Sequence, residues 1–304
     1  MSGPAPTVLF DAPGPKALAR HRIIAIIGTV ALLGLIALIV RGLWVKDQLT
    51  ADKWTPFLEA ESWTAYLLPG LAGTLIAAAI SVVLAVIFGI LLGMGRLSEL
   101  APLRLVCGAF VEFFRAVPVL MMMFFAYYFG LFVLRIPGAS LPLFGVIVGL
   151  TFYNSCVIAE VIRSGVHSLP RGQREAGWAI GLTPTQTLIS ILLPQAITAM
   201  LPSIISQLVV ILKDSALGYA ITYLELLRQG TNLATYRGNL IPTLIVLALM
   251  YVVINYGLTR VASAVEQRMR RGPRAIAPLP GGGDVPPEIT IEEGVPNPAA
   301  GRAG

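Results

Sequence analysis

Long apolar blocks without a charged side chain dominate the sequence. A helix needs about 20 residues to cross the hydrocarbon core of a bilayer. Apolar residues fill these blocks continuously, instead of alternating or forming a narrow helical stripe. The pattern therefore predicts an all-α membrane protein with about six transmembrane helices. The six blocks are residues 23–40, 70–95, 116–134, 139–159, 182–212 and 239–259.

The fifth block is too long for one plain span, and it contains Pro184, Pro194 and Pro202. Proline removes a hydrogen bond from a helix interior and tends to kink or end the helix. We expect the first part of this block to lie outside the membrane and the span itself to begin near Ala196.

Two blocks contain glycines four residues apart, in the pairs Gly89/Gly93 and Gly145/Gly149. Such pairs let helix backbones approach closely in lipid, where hydrophobicity gives no driving force for association. The alternative is that they only reflect the high frequency of glycine in transmembrane helices.

The composition agrees with a lipid environment. Of the 304 residues, 56% are hydrophobic and 12% are charged, and the mean hydropathy is +0.79. Soluble domains carry about 25% charged residues, because their surface is exposed to water. The composition therefore excludes a soluble globular protein, and we expect a multi-pass protein of the cell membrane.

The net charge of +6 does not indicate a nucleic-acid partner, because the basic residues sit beside apolar blocks and form no patch interleaved with aromatics. Cys107 and Cys156 lie near or within apolar segments and are interpreted as small packing residues. His21 and His167 are the only histidines, so no metal site is expected.

The basic residues also predict the orientation of the spans. Cytoplasmic loops of membrane proteins carry an excess of Lys and Arg. Six spans with the N- and C-termini both cytoplasmic place four groups of basic residues inside, and they leave Asp47, Asp52, Glu59 and Glu61 outside with only Lys46 and Lys53. The basic groups are Lys16, Arg20 and Arg22; Arg96 and Arg104; Arg163, Arg171 and Arg174; and Arg260, Arg268, Arg270, Arg271 and Arg274.

Four regions follow along the chain. Residues 1–20 are a predicted disordered cytoplasmic segment, and residues 21–67 a transmembrane helix with an extracellular linker. Residues 68–268 form the main transmembrane domain, and residues 269–304, rich in Gly, Pro and acidic side chains, a disordered cytoplasmic tail. No A-x-A site follows the first apolar run, which favours a membrane anchor over a cleaved signal peptide.

The loop at residues 170–194 reads PRGQREAGWAIGLTPTQTLISILLP. Pro170 suits a first helical turn, and Gly181 suits the left-handed end of a helix. Thr183 can then cap a second helix that starts with Pro184. The loop therefore predicts two short cytoplasmic helices. The first could enter a groove of a soluble partner with Trp178 as its anchor.

This loop resembles the signature of permease subunits of ABC importers. The signature is E-A-A, three residues, Gly, nine residues and I-x-L-P. Here Glu175, Ala176 and Gly177 are followed in register by Gly181 and by the I-x-L-P run at residues 191–194. The one departure is Gly177, where the family usually has alanine.

Flanking runs resemble the polar amino-acid group of these permeases, which handles histidine, glutamate, glutamine, arginine and opines. The runs are VEFFRAVP, YNSCVIAEVIR, KDSAL and ELLRQ, at residues 111–118, 153–163, 213–217 and 225–229. The resemblance covers about residues 68–268. With its long N-terminus and its C-terminal tail, the chain is similar to the longer permease of actinobacterial-type glutamate importers.

The resemblance implies a five-helix type I importer core plus one N-terminal helix, and alternating access driven by a partner ABC ATPase dimer that binds ATP and Mg²⁺. It also implies a second, different permease chain and an extracellular substrate-binding protein. The sequence contains no G-x-x-x-x-G-K-[ST] loop, so we expect this chain to bind no cofactor and not to be an enzyme. The coupling residues implied are Arg171, Gly172, Glu175, Ala176, Gly177, Gly181 and Pro194.

Polar residues at membrane depth are candidates for a substrate path. Asn154 and Ser155 could face the path, or could hydrogen-bond neighbouring helices. Lys213, Asp214 and Ser215 offer charges complementary to an amino acid, or could form a local ion pair.

Glu112 and Arg115 are expected to form a structural pair across one helical turn. The alternative function is an ATP-independent secondary transporter or channel, which would explain the spans but not the signature loop.

Overall fold

The computed structural model describes residues 14–270, and the regular structure in this range is helical, with no β-strand. Eleven α-helices occur in it. They are α1 Pro15–Val45, α2 Ala51–Trp54, α3 Leu68–Leu97, α4 Ala101–Ala116, α5 Val119–Phe132, α6 Leu141–His167, α7 Arg171–Ala179, α8 Pro184–Thr187, α9 Leu193–Asp214, α10 Leu226–Arg237 and α11 Leu240–Arg270.

Shorter helical turns join some of these helices. They are 3₁₀ turns at Thr55–Leu58 and Ser215–Ile221 and π turns at Ser62–Leu67 and Leu188–Leu192. Most of the two predicted disordered segments, namely residues 1–13 and 271–304, lies outside the described residues.

Five helical runs are long and apolar enough to cross a membrane, which confirms the all-α membrane fold. They are Lys16–Val45, Ser62–Leu97, Leu141–His167, Pro184–Ile221 and Leu240–Arg268. The number rises to six if α4 and α5 together form one bent span.

The third predicted span, residues 116–134, is wrong as a single straight helix. The chain turns by 103° between α4 and α5. Val117 precedes Pro118 and takes an extended conformation, with φ −81° and ψ 129°, because a residue before proline disfavours the helical region. With 14 residues, α5 is about 21 Å long, which is shorter than a bilayer core of about 30 Å.

The fifth apolar block contains no break near Ala196. Its helical path runs from Pro184 to Ile221 and is widened by the π turn at Leu188–Leu192 immediately before α9. Pro194 then follows the π turn directly, in the first turn of α9. Pro202 lies inside α9, and the Ser206 hydroxyl donates a hydrogen bond to its carbonyl. The prolines therefore reshape this helix without ending it.

Close packing in the bundle centres on α6. Its buried side chains Leu150, Ile158 and Ile162 join Ala85 of α3 and Ile211 of α9 in one apolar core. The bundle therefore has α6 at its centre, with α3 and α9 against it.

Glycines set the separation between these helices. A Cβ atom on Gly89 would lie 2.6 Å from Ile158 Cγ2, and one on Gly149 would lie 2.5 Å from Met123 Cγ. The glycine pairs of the sequence therefore lie at helix contacts, as the first interpretation predicted.

Helix α1 stands apart from this bundle, since the most apolar part of α1 is 0% buried. The linker between α1 and α3 instead contacts the region around the α10–α11 turn. Lys53 Nζ donates to the Gly238 carbonyl at 3.0 Å, and Asn239 Nδ2 donates to the Lys53 carbonyl at 2.9 Å. Arg237 also pairs with Glu59. The linker is thus held against the turn between α10 and α11.

The Gly89 contact yields a stability prediction. In Gly89→Ala the new methyl group meets Ile158 in the core, and such overpacking costs about 1–3 kcal/mol. Nothing lies within 4 Å of a Cβ on Gly34 of α1, so Gly34→Ala only improves helix propensity. We expect thermal denaturation of the purified chain to show a lower melting temperature for Gly89→Ala and no loss for Gly34→Ala. Equal melting temperatures for the two variants would contradict this packing.

Candidate functional site

Helices α7 and α8 form the loop that carries the signature residues. Gly181 has φ +82° and ends α7, because this left-handed conformation is cheap only for glycine. The Gly181 and Leu182 N–H groups donate to the carbonyls of Trp178 at 2.9 Å and Gly177 at 3.1 Å. This pair of bonds is a complete Schellman motif, so the predicted end of the helix is confirmed.

The start of α8 is fixed by a reciprocal cap. Thr183 Oγ1 accepts from the Gln186 N–H at 3.3 Å, and Gln186 Oε1 accepts from the Thr183 N–H at 2.9 Å. The predicted Thr183 cap is therefore confirmed, with Pro184 in the first turn. Pro170 lies one residue before α7 rather than in its first turn, in an extended conformation with ψ 135°.

One side of α7 faces the bundle. Gly177 is buried, and a Cβ on it would lie 2.7 Å from Thr187 Cγ2 and 3.2 Å from Ile191 Cδ1. Gln195 Nε2 of α9 donates to Gln173 Oε1 at 3.1 Å. Glycine thus allows α7 to lie directly on α8 and the π turn.

The other side of α7 is exposed. Trp178 and Ile180 keep 48% and 74% of their surface accessible, and Glu175 is exposed beside them. Arg171, Gly172 and Ala176 are exposed as well, whereas Pro194 lies apart from them at the start of α9. The loop therefore presents a carboxylate and two large apolar side chains on a helix that is braced from behind.

A cluster of charged side chains lies where α3, α4 and α6 come together. Glu160 of α6 binds Arg96 at 2.5 Å and Arg163 at 2.6 Å, and Arg115 lies 3.6 Å from it. Glu112 pairs with Arg96 at 3.3 Å. The predicted Glu112–Arg115 pair is wrong, since the described residues contain no such ion pair and each side chain reaches a different helix instead.

Asn154 and Ser155 lie inside the bundle. Asn154 is fully buried, donates to the Leu150 carbonyl at 2.7 Å and accepts from Gln207 Nε2 of α9 at 2.5 Å. Ser155 donates to the Phe152 carbonyl at 2.9 Å. Asn154 therefore bonds to a neighbouring helix and Ser155 to its own, and Gln207 is a polar partner that the sequence alone did not reveal.

The Lys213, Asp214 and Ser215 side chains do not converge on one another. Lys213 is exposed, Asp214 is half-buried, and Ser215 donates to the Leu212 carbonyl at 2.7 Å. Within residues 14–270, no ion pair joins Lys213 to Asp214. Lys213 lies six residues beyond Gln207 on α9, which is about 9 Å along the helix.

Glu225 is a buried carboxylate that the sequence analysis did not single out. It caps α10 by accepting from the N–H groups of Leu227 at 2.7 Å and Arg228 at 2.6 Å, and it accepts from the Tyr251 hydroxyl at 3.0 Å. Burial raises the pKa of Glu225 above the ordinary value of a glutamate, against the lowering effect of these hydrogen bonds. Its position directly before a helical pattern is a sequence signal for a residue at the start of a helix.

A family model described as "Binding-protein-dependent transport system inner membrane component" matches residues 85–271, which is more than half of the chain. This chain belongs to that family. The match begins within α3, so α1 and the linker lie outside it.

Two relatives are similar to most of this chain, which is hereafter called the permease. The permease is 50% identical over 227 residues to the "Glutamate transport system permease protein GluD" of Corynebacterium glutamicum, and the match covers 75% of this chain and 83% of the relative. It is 36% identical over 208 residues to the "Probable glutamine ABC transporter permease protein GlnP" of Bacillus subtilis, covering 67% of this chain and 94% of the relative. The resemblance to the polar amino-acid group of ABC importer permeases is therefore confirmed.

A solved structure described as an "amino acid ABC transporter with histidines" superposes with a TM-score of 0.62 at 27% identity. The superposition covers 70% of this chain and 98% of that one. The permease is thus a multi-pass protein of the plasma membrane. Its family implies an ATPase and a substrate-binding protein as partners, and a permease subunit of this family lacks an ATPase site of its own.

The contact behind α7 yields a test on the permease. A methyl group in Gly177→Ala would collide with Thr187, which is buried and β-branched, and such overpacking costs about 1–3 kcal/mol. We expect trypsin to cleave the purified chain after Arg171 and Arg174 at least about fivefold faster in this variant. Thr187→Ala in the same chain should restore slow cleavage.

Gly172→Ala is the matched control for this test, because nothing lies within 4 Å of its Cβ position on the same helix. Equal cleavage of Gly177→Ala and Gly172→Ala, or a failure of Thr187→Ala to restore protection, would show that α7 does not rest on Thr187.

Glu225 yields a pH prediction. Because its pKa in the folded chain is raised, folding favours the protonated carboxyl. Its contribution to stability is full below the unfolded pKa of about 4.3 and is lost as the pH rises through the folded pKa. Glu225→Gln cannot ionise. We therefore expect the melting temperature of this variant, relative to that of the wild type, to increase as the pH rises from 4 to 8. The exposed Glu99→Gln is the control, and equal slopes in all three proteins would refute the effect.

Proposed function

We propose that this permease carries glutamate in an ABC importer and that α7 transmits the closure of a partner ATPase dimer to the spans. One observation supports the coupling role of α7. Its outer side exposes a surface formed by Glu175, Trp178 and Ile180, and its other side packs against Thr187. The similarity to a protein named as a glutamate permease supports the substrate.

Coupling requires that a push on α7 reaches the spans. The turn at Gly181 and the cap at Thr183 join α7 to α8 with little slack. The helical path then continues without a break through the π turn into α9. A displacement of α7 therefore moves α9 as a rigid body, which is the kind of movement that alternating access needs.

The docking chemistry follows from the exposed side of α7. Trp178 and Ile180 fill an apolar groove of the ATPase, and Glu175 pairs with a basic group at its rim. Arg171, Gly172 and Ala176 border this surface, and Gly181 and Pro194 set the angles at the two ends of the loop.

The assembly we propose contains two ATPase copies that hold ATP and Mg²⁺, a second and different permease chain, and an extracellular binding protein. This chain binds no cofactor. Its N- and C-termini lie in the cytoplasm, because Arg96, Arg104 and Arg174 lie together at the end of the bundle that carries α7.

For the substrate path we propose Asn154, Ser155, Lys213, Asp214 and Ser215. Glutamate carries an ammonium group and two carboxylates, which the exposed Lys213 and the half-buried Asp214 complement in charge. Gln207, six residues before Lys213 on α9, and its partner Asn154 of α6 add two amide groups. An ATP-independent transporter would need no docking helix, so co-purification of an ATPase with this chain separates the two mechanisms.

Uptake of labelled glutamate tests the proposal in cells that lack this chain. We expect uptake to be lost, to return with the wild-type chain, and to stay at least about tenfold lower with Glu175→Ala/Gly181→Ala. This double variant removes the docking carboxylate and strains the left-handed turn. Glu99→Ala, an exposed carboxylate at the same end of the bundle, is the matched control.

Unlabelled glutamine, aspartate, arginine and histidine serve as competitors in the same assay. Unchanged glutamate uptake with loss of another amino acid would discard glutamate and keep the importer. Full uptake by the double variant would discard the coupling role of α7.

A further inference from the structure

A cleft of about 550 Å³ lies between the α3–α4 turn, the end of α6 and the start of α8. Four basic side chains line it, Arg96, Arg104, His167 and Arg174, against the single carboxylate of Glu99. Trp178 of the coupling surface also lines this cleft, whereas Glu175, Ile180 and the residues of the candidate substrate path do not.

Positive charge in the cleft is only partly neutralised. Arg96 is held by Glu160 and Glu112. Arg104 donates to the Ser98 carbonyl at 3.1 Å but forms no ion pair with a described residue. Arg174 has no ion-pair partner within residues 14–270 either. Two arginine side chains from different helices are therefore available to an anion in one concave site.

The opposite wall of the cleft is apolar and continues along the bundle surface. Met94 and Leu188 line the cleft. Leu91 leads out of it to Ile87 and Val83, which lie one and two turns earlier on the same side of α3. These three side chains are 57%, 49% and 58% exposed. A small soluble anion would use only the basic half of this arrangement, whereas a phospholipid would use both halves.

We propose that this cleft binds an anionic phospholipid, with the headgroup phosphate between Arg104 and Arg174 and an acyl chain along Val83, Ile87 and Leu91. Basic pockets between helices on the cytoplasmic side hold anionic headgroups, and that leaflet is negatively charged. The leaflet assignment rests on the orientation proposed above. The bound lipid bridges the α3–α4 turn and α7.

Lipid retention by the full chain, purified with its partner subunits, tests the site directly. Native mass spectrometry would compare phosphatidylglycerol with phosphatidylcholine of the same acyl chains. We expect preferential retention of phosphatidylglycerol, reduced at least about fivefold in Arg104→Gln/Arg174→Gln. Arg268→Gln is the matched control, because Arg268 is exposed near the end of α11 and does not line the cleft.

A second variant guards against a folding defect. Ser98 Oγ accepts a hydrogen bond from the Leu100 N–H at 3.2 Å, and an aspartate keeps such a bond while adding a negative charge to the cleft. Ser98→Asp should therefore keep the wild-type melting temperature and lose phosphatidylglycerol selectively.

Three outcomes would overturn the proposal. An equal loss in Arg268→Gln would indicate diffuse surface attraction, and displacement of the lipid by inorganic phosphate would indicate a site for a soluble anion. Equal retention of both lipids would remove the charge argument. None of these results depends on glutamate uptake, so the lipid site and the proposed function fail separately.

Discussion

The close approach of α3 and α6 is the constraint on which the rest of this structure depends. Lipid gives two apolar helices no hydrophobic reason to associate, so contact relies on packing and on polar bonds between them. Gly89 and Gly93 bring the α3 backbone against Ile158, Ala159 and Ile162.

The spacing between these helices fixes what happens at their ends. Arg96 lies three residues beyond Gly93, and it meets Glu160 only because the two backbones are close there. The same carboxylate then takes Arg163 from its own helix and lies near Arg115 of α4. The close approach at the glycines therefore allows an ionic junction, and this junction ties α4 to α3 and α6.

Much of the fold and of the coupling loop follows from local chemistry and could be predicted. Uninterrupted apolar runs predicted the spans, and Gly181 and Thr183 predicted the ends of two short helices, because each acts on residues only a few positions away. The 103° turn was missed although Pro118 was visible. The length of the apolar run favours a single span, but the conformational preference of Val117 before Pro118 prevails in the structure.

The remaining errors concern residues that are far apart in the sequence. Glu112 and Arg115 have the right spacing for a pair on one helix, but Arg96 and Glu160 offer partners from other helices. Gln207 reaches Asn154 across 53 positions, and Tyr251 reaches Glu225 across 26. No period or motif within one segment specifies such bonds, since they depend on which helix faces are brought together.

The separation of α1 from the bundle has an evolutionary consequence. Its apolar side chains support no other described part of the chain, and the linker that follows is fastened independently through Lys53 and Asn239. Substitutions on α1 therefore escape the selection for internal fit that acts on α3 and α6. Packing within this chain therefore constrains α1 less than it constrains the core of the permease.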